Sequence, residues 1–343
     1  MTTTLPAPTQ VAPATPTTST LAGAITAGLR ESMLRDERVI LMGEDIGPLG
    51  GVFRVTSGLH AEFGAGRVRD TPLGESGIVG TAIGLAMGGY RPVVEIQFDG
   101  FVFPSFNQIT TQLAKLRYRS QGDLQVPVVI RIPYGGGIGA IEHHSESPEA
   151  YFAHTAGLRV IAPASPADAF TMIQQAIACP DPVIFMEPKA RYWSKGPLPT
   201  APVNLEDVEE IQRARIARAG SDITLAGYGP TVASLLAAAA AAAEDGVRAE
   251  VIDLRSVSPL DVDTVAESVR RTGRLVIAHE APTAYGAGAE LAARISEECF
   301  FSLEAPVRRV GGFHTPYPAN AHEHEYLPGV DRIIDAIALA IEE

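Results

Sequence analysis

From Leu21 onward the chain alternates short apolar runs with stretches of helical period, and this alternation restricts its fold more than any other feature. "RVILMGED", "RPVVEIQF", "VPVVIRIPY", "LRVIAP" and "PVIFMEP" have the length and β-branched content of buried strands. Between them, "TLAGAITAGLRESMLRD", "GIVGTAIGLAMGG", "FPSFNQITTQLAKLRYRS" and "PADAFTMIQQAIAC" read as helices. Strands alternating with helices predict an α/β fold, with mainly parallel sheets covered on both faces. The rhythm breaks over "KGPLPTAPVNLEDVEEIQRARIARAGSD" and then resumes. Strands "ITLAGYG", "AEVIDLRSVSP", "RLVIAHEAP" and "PVRRVGG" follow, separated by helical stretches that include the alanine run Ala237–Ala243, with Gly246 as its stop. The expected organisation is two domains, at 21–200 and 218–343, joined by a linker at 201–217. Residues 1–20 are rich in Thr, Pro and Ala and are expected to be a disordered tail without the marks of a targeting peptide.

Composition removes several classes of function. A net charge of −13 over 343 residues argues against nucleic acid as a partner, since a phosphate backbone requires clustered Lys and Arg. No apolar run approaches the ~20 residues that span a bilayer, so no membrane partner is expected. Two cysteines, Cys179 and Cys299, are too few for a disulfide framework, which makes a reducing cytoplasm the default. Arginine outnumbers lysine 24 to 3, a coding bias that points to a bacterium.

Three stretches carry candidate chemistry. "GGGIGAIEHHSESPEAYFAH", Gly135 to His154, contains the spacing Gly135-x-Gly137-x-x-Ala140 after a strand. A dinucleotide loop would start its helix within those glycines. Here Ser147 and Pro148 form the helix-start pair, about ten residues too late, so a nucleotide loop is rejected. Adjacent His143 and His144 point in different directions, and His154 is a helix away, so a zinc cluster is rejected too. What remains is a histidine at a helix N-terminus that attracts anions, against an ordinary solvated loop, which composition alone favours. "DTPLGESGIVGTAIGLAMGG" places Glu75 before a helix that is small and apolar on all faces. Burial would raise the Glu75 pKa and the helix dipole would lower it. "EIQFDGFVFPSFNQ" ends a strand in Gln97 and four phenylalanines, where α/β sheets bind ligands or, equally, where a core ends.

Taken in order, "GEDIG", "DTPLGESGIVGTAIGLAMGG", "EIQFDGFVFPSFNQI", "LRYRS", "HHSESPEAYFAH", "LRVIAP", "PVIFMEPK", "VIDLRSVSPLD", "GRLVIAHEAP" and "APVRRVGGFHTPYP" resemble the beta subunit of thiamine-diphosphate-dependent 2-oxoacid dehydrogenases. "HSESPEAYFAH" and "FMEPKARY" are closer to the branched-chain type than to the pyruvate type. The resemblance implies a pyrimidine-binding domain followed by a transketolase-like C-terminal domain. It also implies a heterotetramer of two alpha and two beta chains, acyl transfer to a lipoyl acyltransferase core, and Mg2+ held by the alpha chain. On this sequence the family's cofactor contacts fall on Leu73, Glu75, Gln97 and Phe101, the last a tyrosine in branched-chain members. Its active-site histidine falls on His144, and a K+ site would lie near Val128, Val129, Cys179 and Asp181. The Gly-Asp-Gly segment ending in Asn that holds the diphosphate has no counterpart here, since "FDGF" and "QGDL" do not fit. The chain is therefore expected to be inactive alone. The pyruvate dehydrogenase beta subunit is the runner-up reading, followed by a transketolase-type synthase half and a non-catalytic scaffold. His279-Glu280 reads as a capped strand end or an interface element.

Overall fold

The computed structural model describes residues 17–342. The first half begins with β1 (Thr18–Thr20), α1 (Leu21–Arg35), β2 (Val39–Gly43), α2 (Leu59–Phe63), β3 (Val68–Asp70), α3 (Glu75–Met87) and β4 (Arg91–Glu95). It continues through α4 (Ala114–Arg119), β5 (Val129–Tyr134), α5 (Glu149–Ala153), β6 (Arg159–Ile161), α6 (Pro166–Ala178), β7 (Val183–Pro188) and β8 (Lys195–Pro197). The second half holds β9 (Arg215–Arg218), β10 (Ile223–Gly227), α7 (Thr231–Ala242), β11 (Ala249–Asp253), β12 (Ser256–Ser258), α8 (Val262–Thr272) and β13 (Leu275–Pro282). It closes with α9 (Ala287–Glu298), β14 (Arg308–Gly312), α10 (Glu323–Tyr326) and α11 (Val330–Glu342).

Seven strands form the first sheet in the order β12-β6-β7-β5-β4-β2-β3, parallel except where β12 meets β6. Five form the second, β14-β13-β10-β11-β9, with only β9 antiparallel. The apolar strand runs account for this, since β2, β5 and β7 are buried on both faces. α1 and α6 cover one face of the first sheet. Thr20 caps α1 by accepting from the Gly23 amide, and Ser165 caps α6 with Pro166 in its first turn. The other face shares one apolar core with the second half, in which Ile132 and Tyr134 join Tyr228, Ile252 and Ile277.

Several expectations change. "AEVIDLRSVSP" is two strands, because Arg255 takes a φ of 59° and turns Ser256–Ser258 away to pair with β6 of the first sheet. The expected tail gives way at Thr18–Thr20, which pairs antiparallel with Lys195–Pro197; residues 1–16 lie outside the described residues. The 201–217 segment contains a 3-10 turn at Val208–Gln212 and contributes Arg215–Arg218 to the second sheet. The stretch expected as one helix over 103–120 is a 3-10 turn, a π-helix at Gln108–Leu113 and then α4. Beneath these turns, Arg131 on β5 is fully buried between Glu95 on β4 and Glu187 on β7, at 2.7 and 2.6 Å. Among the described residues, no helix is long and apolar enough to cross a membrane.

Candidate active site

The carboxyl ends of four neighbouring strands, β3, β2, β4 and β5, lie side by side. Each delivers polar groups to the same edge of the sheet. From β3 the chain passes through Leu73, which is 85% exposed, to half-buried Glu75 at the first residue of α3. No side chain caps α3. Instead, the Gly74 amide donates to Glu44 Oε1 at 3.2 Å from the end of β2. Burial pushes the Glu44 carboxyl above its ordinary range, the Gly74 amide pulls it down, and the neighbouring Glu75 charge adds to the rise. From β4, half-buried Gln97 donates to the Glu44 carbonyl and to Asp45 Oδ2, each at 3.3 Å. Glu44 was not among the sequence candidates. The signal was present in "GEDIG", an acid directly after a buried strand, but its proximity to Glu75 depends on the pairing of β2 with β3.

Beyond Gln97 the 3-10 turn Asp99–Ser105 folds Phe98 and Phe101 over the β5 loop. The His144 ring lies 4.2 Å from Phe98 and 5.2 Å from Phe101, edge to face in both cases. Gly100 permits this approach, since a Cβ there would collide with the His143 carbonyl. His144 is half-buried, and its Nδ1 is buried without a hydrogen-bond partner. Burial, and secondarily the His143 ring, lowers its pKa, so at neutral pH it is a neutral imidazole rather than a fixed cation. An imidazole with an unpartnered nitrogen against an aromatic wall can give or take one proton at a bound molecule.

The turn that carries His144, Glu142–His144, precedes α5 by several residues. Ser147 does not cap α5, which starts at Glu149 and is only five residues long. Glu149 is itself buried, accepts from Tyr228 Oη at 2.7 Å and is pushed up to about 7 by burial. A buried carboxyl thus occupies the helix start that the sequence offered as an alternative anion site. His143 stays at the edge, 6.0 Å from the Phe101 ring, and His154 is exposed beside a separate cleft of about 1240 Å³ between the two halves. Below the loop, the ion pair Lys189–Asp99 is fully buried; Asp99 also accepts from the Glu146 amide at 2.9 Å.

The structure brings Leu73, Glu75, Gln97, Phe101 and His144 to one edge. Val128, Val129, Cys179 and Asp181 lie at the opposite, amino-terminal ends of β5 and β7, where the Val183 amide donates to the Val128 carbonyl at 2.9 Å. The Asp181 carboxylate is occupied by Arg117 and Arg159, and two guanidinium groups there oppose a cation. Cys179 and Cys299 are free and buried. Among the described residues, no cluster of three His, Cys, Asp or Glu side chains could hold a metal. α3 buries Ile78, Val79, Ala82, Ile83 and Ala86 but leaves Gly77, Thr81, Gly84 and Met87 exposed, so it is covered on one face rather than on all.

Comparison with known proteins adds independent evidence. The model of the transketolase pyrimidine binding domain matches residues 18–194, and that of the transketolase C-terminal domain matches 212–333. The pyruvate dehydrogenase E1 component subunit beta of Leifsonia xyli subsp. xyli is 59% identical over 314 residues, 92% of each chain. The 3-methyl-2-oxobutanoate dehydrogenase subunit beta of Mycobacterium tuberculosis is 50% identical over 94% of this chain and 92% of its own. The 2-oxoisovalerate dehydrogenase subunit beta of Pseudomonas aeruginosa is 44% identical over 96% of each. A solved structure described as "Split gene transketolase, inactive beta4 tetramer" superimposes with a TM-score of 0.76 at 21% identity, covering 94% of this chain and 98% of that one, which shows the shared fold.

Proposed function

Because the chain belongs to the family of 2-oxoacid dehydrogenase E1 beta subunits, built from transketolase pyrimidine-binding and C-terminal domains, we propose that it is the beta subunit of a branched-chain 2-oxoacid decarboxylase component, active only with an alpha chain in a bacterial cytoplasm. In this reading residues 21–200 form the pyrimidine-binding domain and 218–343 the transketolase-like domain, joined through 201–217. The observation that carries it is the convergence of Glu75, Gln97, Phe101 and His144 at adjacent strand ends, beside an exposed Leu73 and an uncovered face of α3.

The donor set suits one half of thiamine diphosphate. A carboxyl at Glu75, a carboxamide at Gln97 and the aromatic wall of Phe101 match a flat aminopyrimidine ring with polar edges. The acids Glu44, Asp45 and Glu75 at the same edge would repel a diphosphate, which with Mg2+ belongs to the alpha chain. When bound, the cofactor supplies the electron sink for decarboxylation. Glu75 would hold the ring through a hydrogen bond between its carboxyl and a ring nitrogen. Leu73 would lie against the ring from its exposed position, and Phe101 lacks the hydroxyl that branched-chain members carry there. His144, neutral and unpartnered at Nδ1, bonds the substrate carboxylate or exchanges a proton with the lipoyl sulfur during transfer to the acyltransferase core. A K+ near Val128, Val129, Cys179 and Asp181 would have only backbone carbonyls to use, and no step runs through it.

The branched-chain assignment rests on "HSESPEAYFAH" and "FMEPKARY" and on the two relatives named for branched-chain substrates. Pyruvate is the second reading, favoured by the 59% identical relative. Carbon dioxide release from 3-methyl-2-oxobutanoate and from pyruvate, assayed on the chain reconstituted with its alpha partner, tests both. The expected preference for the branched substrate is roughly tenfold or more, the scale of one or two methylenes in an apolar pocket. A preference for pyruvate overturns the substrate assignment. Release from neither overturns the enzyme reading.

A further inference from the structure

His144 is delivered by a loop that has almost no side chains with which to fix itself. Gly135, Gly136, Gly137 and Gly139 lie between β5 and Ile141, and three of them hold φ between 71° and 85°. Such a segment loses more conformational freedom on ordering than any other, so something outside it must hold it. From Ala140 onward the loop is held within the first domain, by Asp99 on the Glu146 amide, by Phe98 and Phe101 against the His144 ring, and by its own turn. The His144 amide donates to the Ile141 carbonyl at 3.0 Å, the Ser145 amide to the Glu142 carbonyl at 2.9 Å, and Ser145 Oγ to the Ala140 carbonyl at 3.3 Å. Its base is closed by the Gly135 amide on the Glu146 carbonyl at 3.0 Å.

The glycine half is held from the other domain. The Gly136 amide donates to Glu280 Oε2 at 3.0 Å, and the Gly137 amide donates to Glu323 Oε1 at 3.0 Å. The Gly139 amide reaches both Glu323 oxygens, at 3.3 and 3.1 Å. Tyr317 Oη donates to the same Glu323 Oε1 at 2.8 Å and fixes the carboxylate in turn. A Cβ on Gly136 would overlap the Tyr317 hydroxyl, so the backbone is pressed directly onto this group. Both acids stand 144 to 186 residues away in sequence, on β13 and at the start of α10. Among the described residues, neither is hydrogen-bonded to Glu75, Gln97 or His144.

We propose that Glu323, seconded by Glu280, is a positioning residue that clamps the Gly136–Gly139 backbone and thereby sets where His144 stands. The role given to His144 rests on the functional reading above; the clamp itself does not. The second domain then acts on the first domain's chemistry through three backbone amides. Loosening them displaces the imidazole while leaving Glu75 and Gln97 in place.

The test uses the full chain, alone and reconstituted with its alpha partner, as wild type, Glu323→Ala, Glu323→Gln and Tyr317→Phe. In the chain alone, Glu323→Ala is expected to raise hydrogen exchange at the 136–139 amides at least about tenfold and to move the His144 titration seen by NMR. In the reconstituted enzyme kcat should fall by up to about a hundredfold, the scale of an ångström of misplacement, with KM for cofactor little changed. Glu323→Gln, which keeps an acceptor oxygen, should recover most of this, and Tyr317→Phe should lie near wild type. If Glu323→Ala fails to fold, Glu323→Gln decides: with one of the two carboxylate oxygens replaced by an amino group it is expected to raise exchange at the 136–139 amides in part, and wild-type protection there overturns the proposal. The proposal is overturned if the 136–139 amides keep their protection, or if they are released while the His144 titration and kcat stay at wild-type values. Should the wild-type enzyme release no carbon dioxide, the functional reading falls, yet exchange and titration on the chain alone still decide the clamp.

Discussion

The two sheets end their parallel strands in the same kind of residue but use it in opposite ways. At the ends of β2, β3 and β4, Asp45 and Leu73 are exposed and Glu75 and Gln97 half-buried. At the ends of β10 and β11, Tyr228 and Asp253 are buried, as is His279 within β13. Tyr228 is bonded to Glu149, and the His279 ring is held neutral by burial, its pKa pushed down to about 4. Polar groups at strand ends thus become chemistry where one surface is left uncovered and mortar where it is closed. The first sheet keeps groups that can exchange protons. The second contributes groups that hold the first in place.

This contrast makes quantitative predictions. The largest concerns the open edge: Glu75→Gln in the reconstituted enzyme should cost at least about a hundredfold in carbon dioxide release, within the range for a lost proton-transfer group, with stability unchanged. Unchanged turnover would place the chain with non-catalytic scaffolds. Next is a sealed group below the same edge. Arg131→Met leaves Glu95 and Glu187 buried without their cation and should lower unfolding free energy by about 3–5 kcal/mol in urea titrations.

Glu149 gives a pH-dependent form of the same comparison. Its carboxyl is raised from 4.5 to about 7 in the folded chain by burial. Between those values the native state keeps a proton that the unfolded state has lost, so its contribution to stability is full below about 4.5 and is lost as pH rises through 7. Glu149→Gln cannot ionise. Its stability relative to wild type should rise by about 3 kcal/mol from pH 4.5 to beyond 7, read from unfolding midpoints at several pH values. A difference that is flat with pH would show that Glu149 is not sealed. The smallest effect belongs to a surface pair, Arg248 with a side chain 73% exposed and the half-buried Asp222. Asp222→Asn weakens this pair and should leave the unfolding midpoint close to that of wild type, with a difference that added salt diminishes further.

The sequence displayed the strands, α3 and the candidates at strand ends because each depends on local period and on the rule that parallel sheets bind at their carboxyl ends. What it concealed depends on distance. Glu44 meets Glu75 only after β2 pairs with β3. "AEVIDLRSVSP" reads as one strand, since a left-handed Arg255 leaves no mark in an apolar run. The glycines of the His144 loop announce an unusual backbone but not the carboxylates that hold it, which come from the far end of the chain. His144 itself was legible only through its neighbouring motifs, because a polar loop of this composition looks the same whether it works or is merely solvated.

The central claim is that this chain supplies the ring-binding half of a divided site. It is tested most directly by assaying decarboxylation of 2-oxoacids with thiamine diphosphate and Mg2+, first on the purified chain and then after adding its alpha partner. The account predicts no turnover from the chain alone and turnover on adding the partner. Full-rate decarboxylation by the chain alone would contradict it.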